Sequence, residues 1–92
     1  MMNAEQRIEY IRTTLNNSLS PVSLEIIDDS HMHAGHASAK GGGHFTVKIV
    51  SDAFRDKKLL ARHRLVYTAL EDGMKEEIHA LSIKAYTPEE IN

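Results

Sequence analysis

The sequence contains no cysteine. Disulfides, thiolate metal ligands and a nucleophilic thiol are therefore excluded for this chain. No apolar run approaches the roughly 20 residues that a bilayer-spanning helix needs, so no membrane partner is expected. The opening residues, MMNAEQRIEY, lack the basic segment and apolar stretch of a secretory signal, and the expected location is cytoplasmic. An excess of positive charge is missing too. Against 13 Asp and Glu stand 11 Lys and Arg, for a formal net charge of −2. That balance argues against adhesion of the whole surface to nucleic acid.

What is present fits one domain over residues 1–92. A chain of this size buries only about 60–65% of its unfolded surface, so the core is modest. The apolar fraction of 41% and charged fraction of 26% are ordinary for a globular protein. Histidine is the unusual component. There are six, and four of them fall between His31 and His44.

Ala4, Ile8, Ile11, Leu15 and Leu19 recur at spacings of three and four, which is one face of a helix. Asn3 is a natural cap for it, with Gln6 three residues on, and Ser20-Pro21 ends it. Val22 to Ile27 alternates as a strand, with Val22, Leu24 and Ile26 on one face, and Asp28, Asp29 and Ser30 close it as a turn. His31 to Gly43 has no apolar period and reads as a long Gly-rich loop, a kind that is usually functional or disordered. A second strand follows from His44 to Val50, with Phe45, Val47 and Ile49 on one face. A second helix is expected from Asp56 to Met74, with Leu59, His63, Val66, Leu70 and Met74 as its stripe, Leu60 and Tyr67 in support and Gly73 near its end. The last strand runs from Ile78 to Tyr86, with His79, Leu81, Ile83 and Ala85 on one face. The order α-β-β-α-β predicts an α+β fold: a three-stranded mixed sheet with both helices on one face.

Several stretches then carry a resemblance. Phe45-Thr46-Val47-Lys48-Ile49-Val50-Ser51-Asp52-Ala53-Phe54 resembles the second strand and following turn of BolA-like proteins. Arg62-His63-Arg64-Leu65-Val66-Tyr67 resembles that family's most recognisable motif, and Ile78-His79-Ala80-Leu81 with Tyr86-Thr87-Pro88-Glu89 resembles its last strand and exit. The match runs over nearly the whole chain. The resemblance implies a fold similar to the class II KH fold. It also implies a monothiol glutaredoxin as partner, with a shared 2Fe–2S cluster. The family's ligand positions fall on His79 and on a loop histidine, His33. The loop departs from the family pattern, since it holds His31, His33 and His36 together and ends in Gly41-Gly42-Gly43. Which of the three is the loop ligand stays open. Relatives reported as DNA-binding regulators supply the alternative function, with DNA as the partner.

Such a cluster takes thiolates, and imidazoles can replace two of them on one iron. This chain offers only imidazoles, so the partner would have to supply two sulfurs, and the resemblance implies that these are the glutaredoxin cysteine and glutathione. Spacing alone leaves other readings open. His79 fits a partly buried histidine bonded to a backbone carbonyl. His31, His33 and His36 form H-x-H-x-x-H, which equally suits solvated side chains or adventitious zinc, copper or nickel. His44 fits a substitute ligand, a supporting hydrogen-bond donor or a structural residue. His63, inside the apolar stripe, fits a hydrogen-bonded core histidine. Arg55, Lys57, Lys58, Arg62 and Arg64 form either a solvated face or a nucleic-acid contact. No G-x-x-G loop precedes the second helix, which weakens single-stranded RNA as a ligand. No nucleophile motif is present, so a non-enzyme is expected.

Overall fold

The computed structural model describes residues 2–30 and 43–91. The first helix, α1, spans Ala4–Leu19. Asn3 and Gln6 form a reciprocal capping box at its start, as the spacing predicts. Ser20, held at φ 44° before Pro21, turns the chain out of it. Strands β1 (Ser23–Asp28) and β2 (Gly43–Val50) pair antiparallel, and β2 pairs parallel with β3 (Ile78–Tyr86). The sheet order is β1-β2-β3. This is the expected α+β arrangement, a mixed three-stranded sheet with two helices.

Ile11, Leu15 and Leu19 from α1 meet Phe45, Val47 and Ile49 from β2 in a single cluster. Phe54, in a 3₁₀ turn over Asp52–Phe54, joins them and is fully buried. Burying a side chain of that size is worth about 1.5–3 kcal/mol.

The second helix, α2, is shorter than the periodicity predicts: it spans Leu59–Ala69 rather than Asp56 to Met74. Asp56 takes φ 59°, a left-handed turn that no helix can contain, and the chain enters α2 with Lys58 as cap. At the other end Leu70 leaves helical geometry, and Gly73–Lys75 forms a separate 3₁₀ turn. Gly73 therefore lies beyond the end of α2. A Cβ there would run into the ring of Tyr10, whose hydroxyl accepts the Gly73 N–H at 3.0 Å. Val66 and Leu70 are the residues of the expected stripe that reach full burial. Leu59 and Leu60 are each 63% exposed, because the first turn of α2 projects beyond the core. Val22 is also exposed, since the strand starts one residue later.

Glu77 fixes the entrance to β3. It pairs with Arg7 of α1 at 3.1 Å and accepts from the Met2 N–H at 3.2 Å, and its backbone oxygen accepts from Gly43 at 3.0 Å.

Candidate metal-ligating site

Parallel pairing brings the start of β2 beside the start of β3. The register pairs Gly43 with Ile78 and His44 with Ala80, so His79 is an extra residue in β3. This bulge corrects the sequence expectation that His79 shares a face with Leu81, Ile83 and Ala85. The phase slips at His79: Ile78 fills a buried core position and His79 is exposed. A bulge of this kind re-aims a side chain. The His79 ring lies 4.9 Å, centroid to centroid, from the His44 ring, tilted by 48°.

His44 is held by its own backbone. Its N–H donates to Ser30 Oγ at 3.0 Å, and its carbonyl accepts from Asp29 at 2.7 Å. Ser30 is in turn oriented by Asp28, whose Oδ1 accepts the Ser30 N–H at 2.8 Å. Thr46 Oγ1 donates to Asp29 Oδ2 at 2.5 Å. Gly43 is required here, because a Cβ would strike the Phe45 ring and crowd Ser30 Oγ. Beside these groups lies a shallow concavity of about 290 Å³, lined by Asp29, His44, Phe45, Ala80 and Ser82.

Two imidazoles on one metal ion, each bound at about 2.0–2.1 Å, place their ring centroids roughly 5 Å apart. The His44–His79 separation of 4.9 Å is of that size, so two of the donors that a metal-bearing group needs lie within reach of one another. Among the described residues no cluster of three or more His, Asp or Glu is placed to hold an ion. Additional donors must come from elsewhere. His31, His33 and His36 lie outside the described residues. The described residues that flank them, Ser30 and Gly43, are both at this corner. The ring contact of His44 with His79 depends on strand register. No spacing in the sequence signals it.

His63 sits on α2 and is half-buried. Its Nε2 has no hydrogen-bond partner among the described residues, which departs from the expected bonded core histidine.

The five basic residues divide in two. Arg55 pairs with Asp52 at 2.7 Å and with Glu89 at 2.5 Å. Arg62 grips both oxygens of Glu90, at 2.6 and 2.9 Å, and also donates to the carbonyls of Lys57 and Ala85. The hydrogen bond from Arg55 holds the Glu89 carboxyl below its usual range, and the Arg62 fork lowers Glu90 from 4.5 to about 2. The same bonds raise both guanidinium groups. Lys57, Lys58 and Arg64 are exposed and make no ion pair among the described residues. Glu89 and Glu90 thus act as counter-charge to the two arginines, a role that no spacing in the sequence signals.

Fold and corner together define a small α+β module that displays histidines at one end of its sheet. A family model described as BolA-like protein matches residues 15–90. The chain is 49% identical over 87 residues to SufE-like protein 1, chloroplastic/mitochondrial, of Arabidopsis thaliana, covering 88% of this chain and 24% of that protein. It is 37% identical over 82 residues to the DNA-binding transcriptional regulator BolA of Escherichia coli (strain K12), covering 89% of this chain and 76% of that protein. The solved BolA domain of SufE1 from Arabidopsis thaliana superposes with a TM-score of 0.82 at 46% identity, covering 98% of this chain and 99% of that one. The chain belongs to the BolA-like protein family. Among the described residues no helix is long and apolar enough to cross a membrane.

Proposed function

We propose that this chain is a binding partner rather than a catalyst, one that presents His79 and a loop histidine to a 2Fe–2S cluster shared with a monothiol glutaredoxin. The observation that carries this reading is the bulge at His79, which sets an exposed imidazole beside His44, at the corner where Ser30 and Gly43 flank the histidine-rich segment. His33 is the assigned loop ligand, with His31 and His36 as alternatives and His44 as a substitute. When bound, the cluster would carry electrons or be passed onward as cargo. The chain's own contribution is to orient neutral imidazole donors. With no cysteine, it leaves both sulfur ligands to the glutaredoxin and glutathione. Protonated histidine cannot ligate, so affinity for the cluster falls at acid pH.

The test is anaerobic cluster assembly with a monothiol glutaredoxin and glutathione, followed by visible absorption and circular dichroism. Wild type should give a spectrum distinct from that of the glutaredoxin alone. His79→Ala should abolish that difference while its far-ultraviolet spectrum stays native. Single alanines at His31, His33, His36 and His44 then identify the second donor. A glutaredoxin spectrum left unchanged by the wild-type chain would sink the proposal.

The name of the Escherichia coli relative supports a second reading, a DNA-binding transcriptional regulator that uses the basic second helix. Arg55 and Arg62 are already engaged by Glu89 and Glu90, which leaves Lys57, Lys58 and Arg64 to meet phosphates. Binding through those three predicts a log affinity–log salt slope of about −3, whereas all five cations would give roughly −4.5. Sequence preference at constant salt separates regulation from mere charge attraction.

A further inference from the structure

Between the C-terminal end of α1 and the side of α2 lies a groove of about 480 Å³. Leu19, Ala61, Leu65 and Ala69 form its apolar lining, and Lys57 and Arg64 border it. Positions 61, 64, 65 and 69 recur at helical spacing, so they line one side of α2. Among the described residues no Asp or Glu borders the groove. Its two cations differ from their neighbours in a telling way. Arg55 and Arg62 are compensated by carboxylates, whereas Lys57 and Arg64 have no ion pair among the described residues.

An apolar trough flanked by uncompensated cations complements an apolar side chain flanked by carboxylates. A phosphate backbone would use the cations but leave the trough unfilled. We propose that this groove docks an acidic segment of a partner protein, with one apolar side chain over Leu19 and Leu65 and carboxylates against Lys57 and Arg64. The Leu19 end of the groove lies beside Ser51, whose hydroxyl donates to the Leu19 carbonyl just past the end of β2 that is away from His44. The run of β2 from His44 to Val50 alone spans roughly 20 Å at about 3.3 Å per residue. Both surfaces can thus be occupied at once, and the chain can hold a second protein while its histidines face the first. The groove is small, which suits a short, transient contact.

The probe is a synthetic peptide with a central leucine flanked by two glutamates on each side, titrated into the ¹⁵N-labelled chain. Amide shifts should concentrate at Leu19, Ala61, Leu65 and Ala69. The double variant Lys57→Glu/Arg64→Glu should weaken binding roughly tenfold, because two exposed pairs become repulsive. Ala61→Gln fills the groove without changing charge and should weaken it too. Replacing the central leucine by serine should cost about tenfold or more. The proposal is overturned if the serine peptide binds equally well, if shifts fall elsewhere, or if a DNA oligonucleotide displaces the peptide from the same amides at lower concentration. Both variants change exposed positions, and their amide spectra report directly on the fold. Cluster assembly with the glutaredoxin should be unchanged in the double variant, so the two proposals fail separately.

Discussion

Replacing Ser51 by alanine tests how the end of α1 is fastened to the rest of the domain. Ser51 is completely buried. Its hydroxyl donates to the Leu19 carbonyl at 2.5 Å and accepts the Ala53 N–H at 3.0 Å. One oxygen therefore satisfies a terminal carbonyl of α1 and caps the 3₁₀ turn that carries Phe54. Alanine removes both bonds and leaves two backbone groups without those partners. The backbone bond from Ser51 to Tyr86 remains. At about 1 kcal/mol per bond, plus the cost of burying an unpaired group, the loss comes to about 2–3 kcal/mol. For a domain of this size that lowers Tm by roughly 10–20 °C. Thermal and urea melts followed by circular dichroism would measure it, with the exposed Ser23→Ala as a control expected within about 0.5 kcal/mol of wild type. A Tm within about 3 °C of wild type, at unchanged urea slope, would refute the reasoning. It would mean that the Leu19 carbonyl and the Ala53 N–H do not depend on this hydroxyl.

Other consequences can be measured in the same way. Asp56→Gly should raise stability by about 0.5–1 kcal/mol in urea melts, because φ 59° costs an L-residue what glycine does not pay. No gain would place the strain elsewhere. Gly73→Ala should cost about 1–3 kcal/mol, since its methyl group displaces the Tyr10 ring and breaks the 3.0 Å bond between them. An unchanged melt would show that the ring yields freely. Glu90 has a folded-state pKa depressed from 4.5 to about 2 by Arg62, so its stabilisation is present above about pH 4.5 and is lost as pH falls toward 2. Glu90→Gln should flatten that part of the acid-unfolding curve, and a curve of unaltered slope would count against the pairing.

The local elements of this protein are written in its sequence. Asn3, Gln6 and Pro21 bracket α1 because capping and proline geometry act within a few residues. Alternation at Phe45, Val47 and Ile49 marks β2, and the bounds Ile78 to Tyr86 of β3 read directly. The order of elements then dictated one antiparallel and one parallel pairing. The periodicity overextends the helix after Phe54, because a 3.6-residue period continues through Asp56 and Gly73 while the backbone does not. His79 was a candidate from resemblance, but its exposure and its contact with His44 depend on a single extra residue in a ladder between segments 35 residues apart in sequence (79 − 44). The basic run looked uniform, yet Arg55 and Arg62 are matched by Glu89 and Glu90, 34 and 28 residues away. Such features were illegible for a physical reason. Capping, proline turns and alternation are local energies, whereas strand register and distant charge pairing are decided only when the core closes and brings remote segments together.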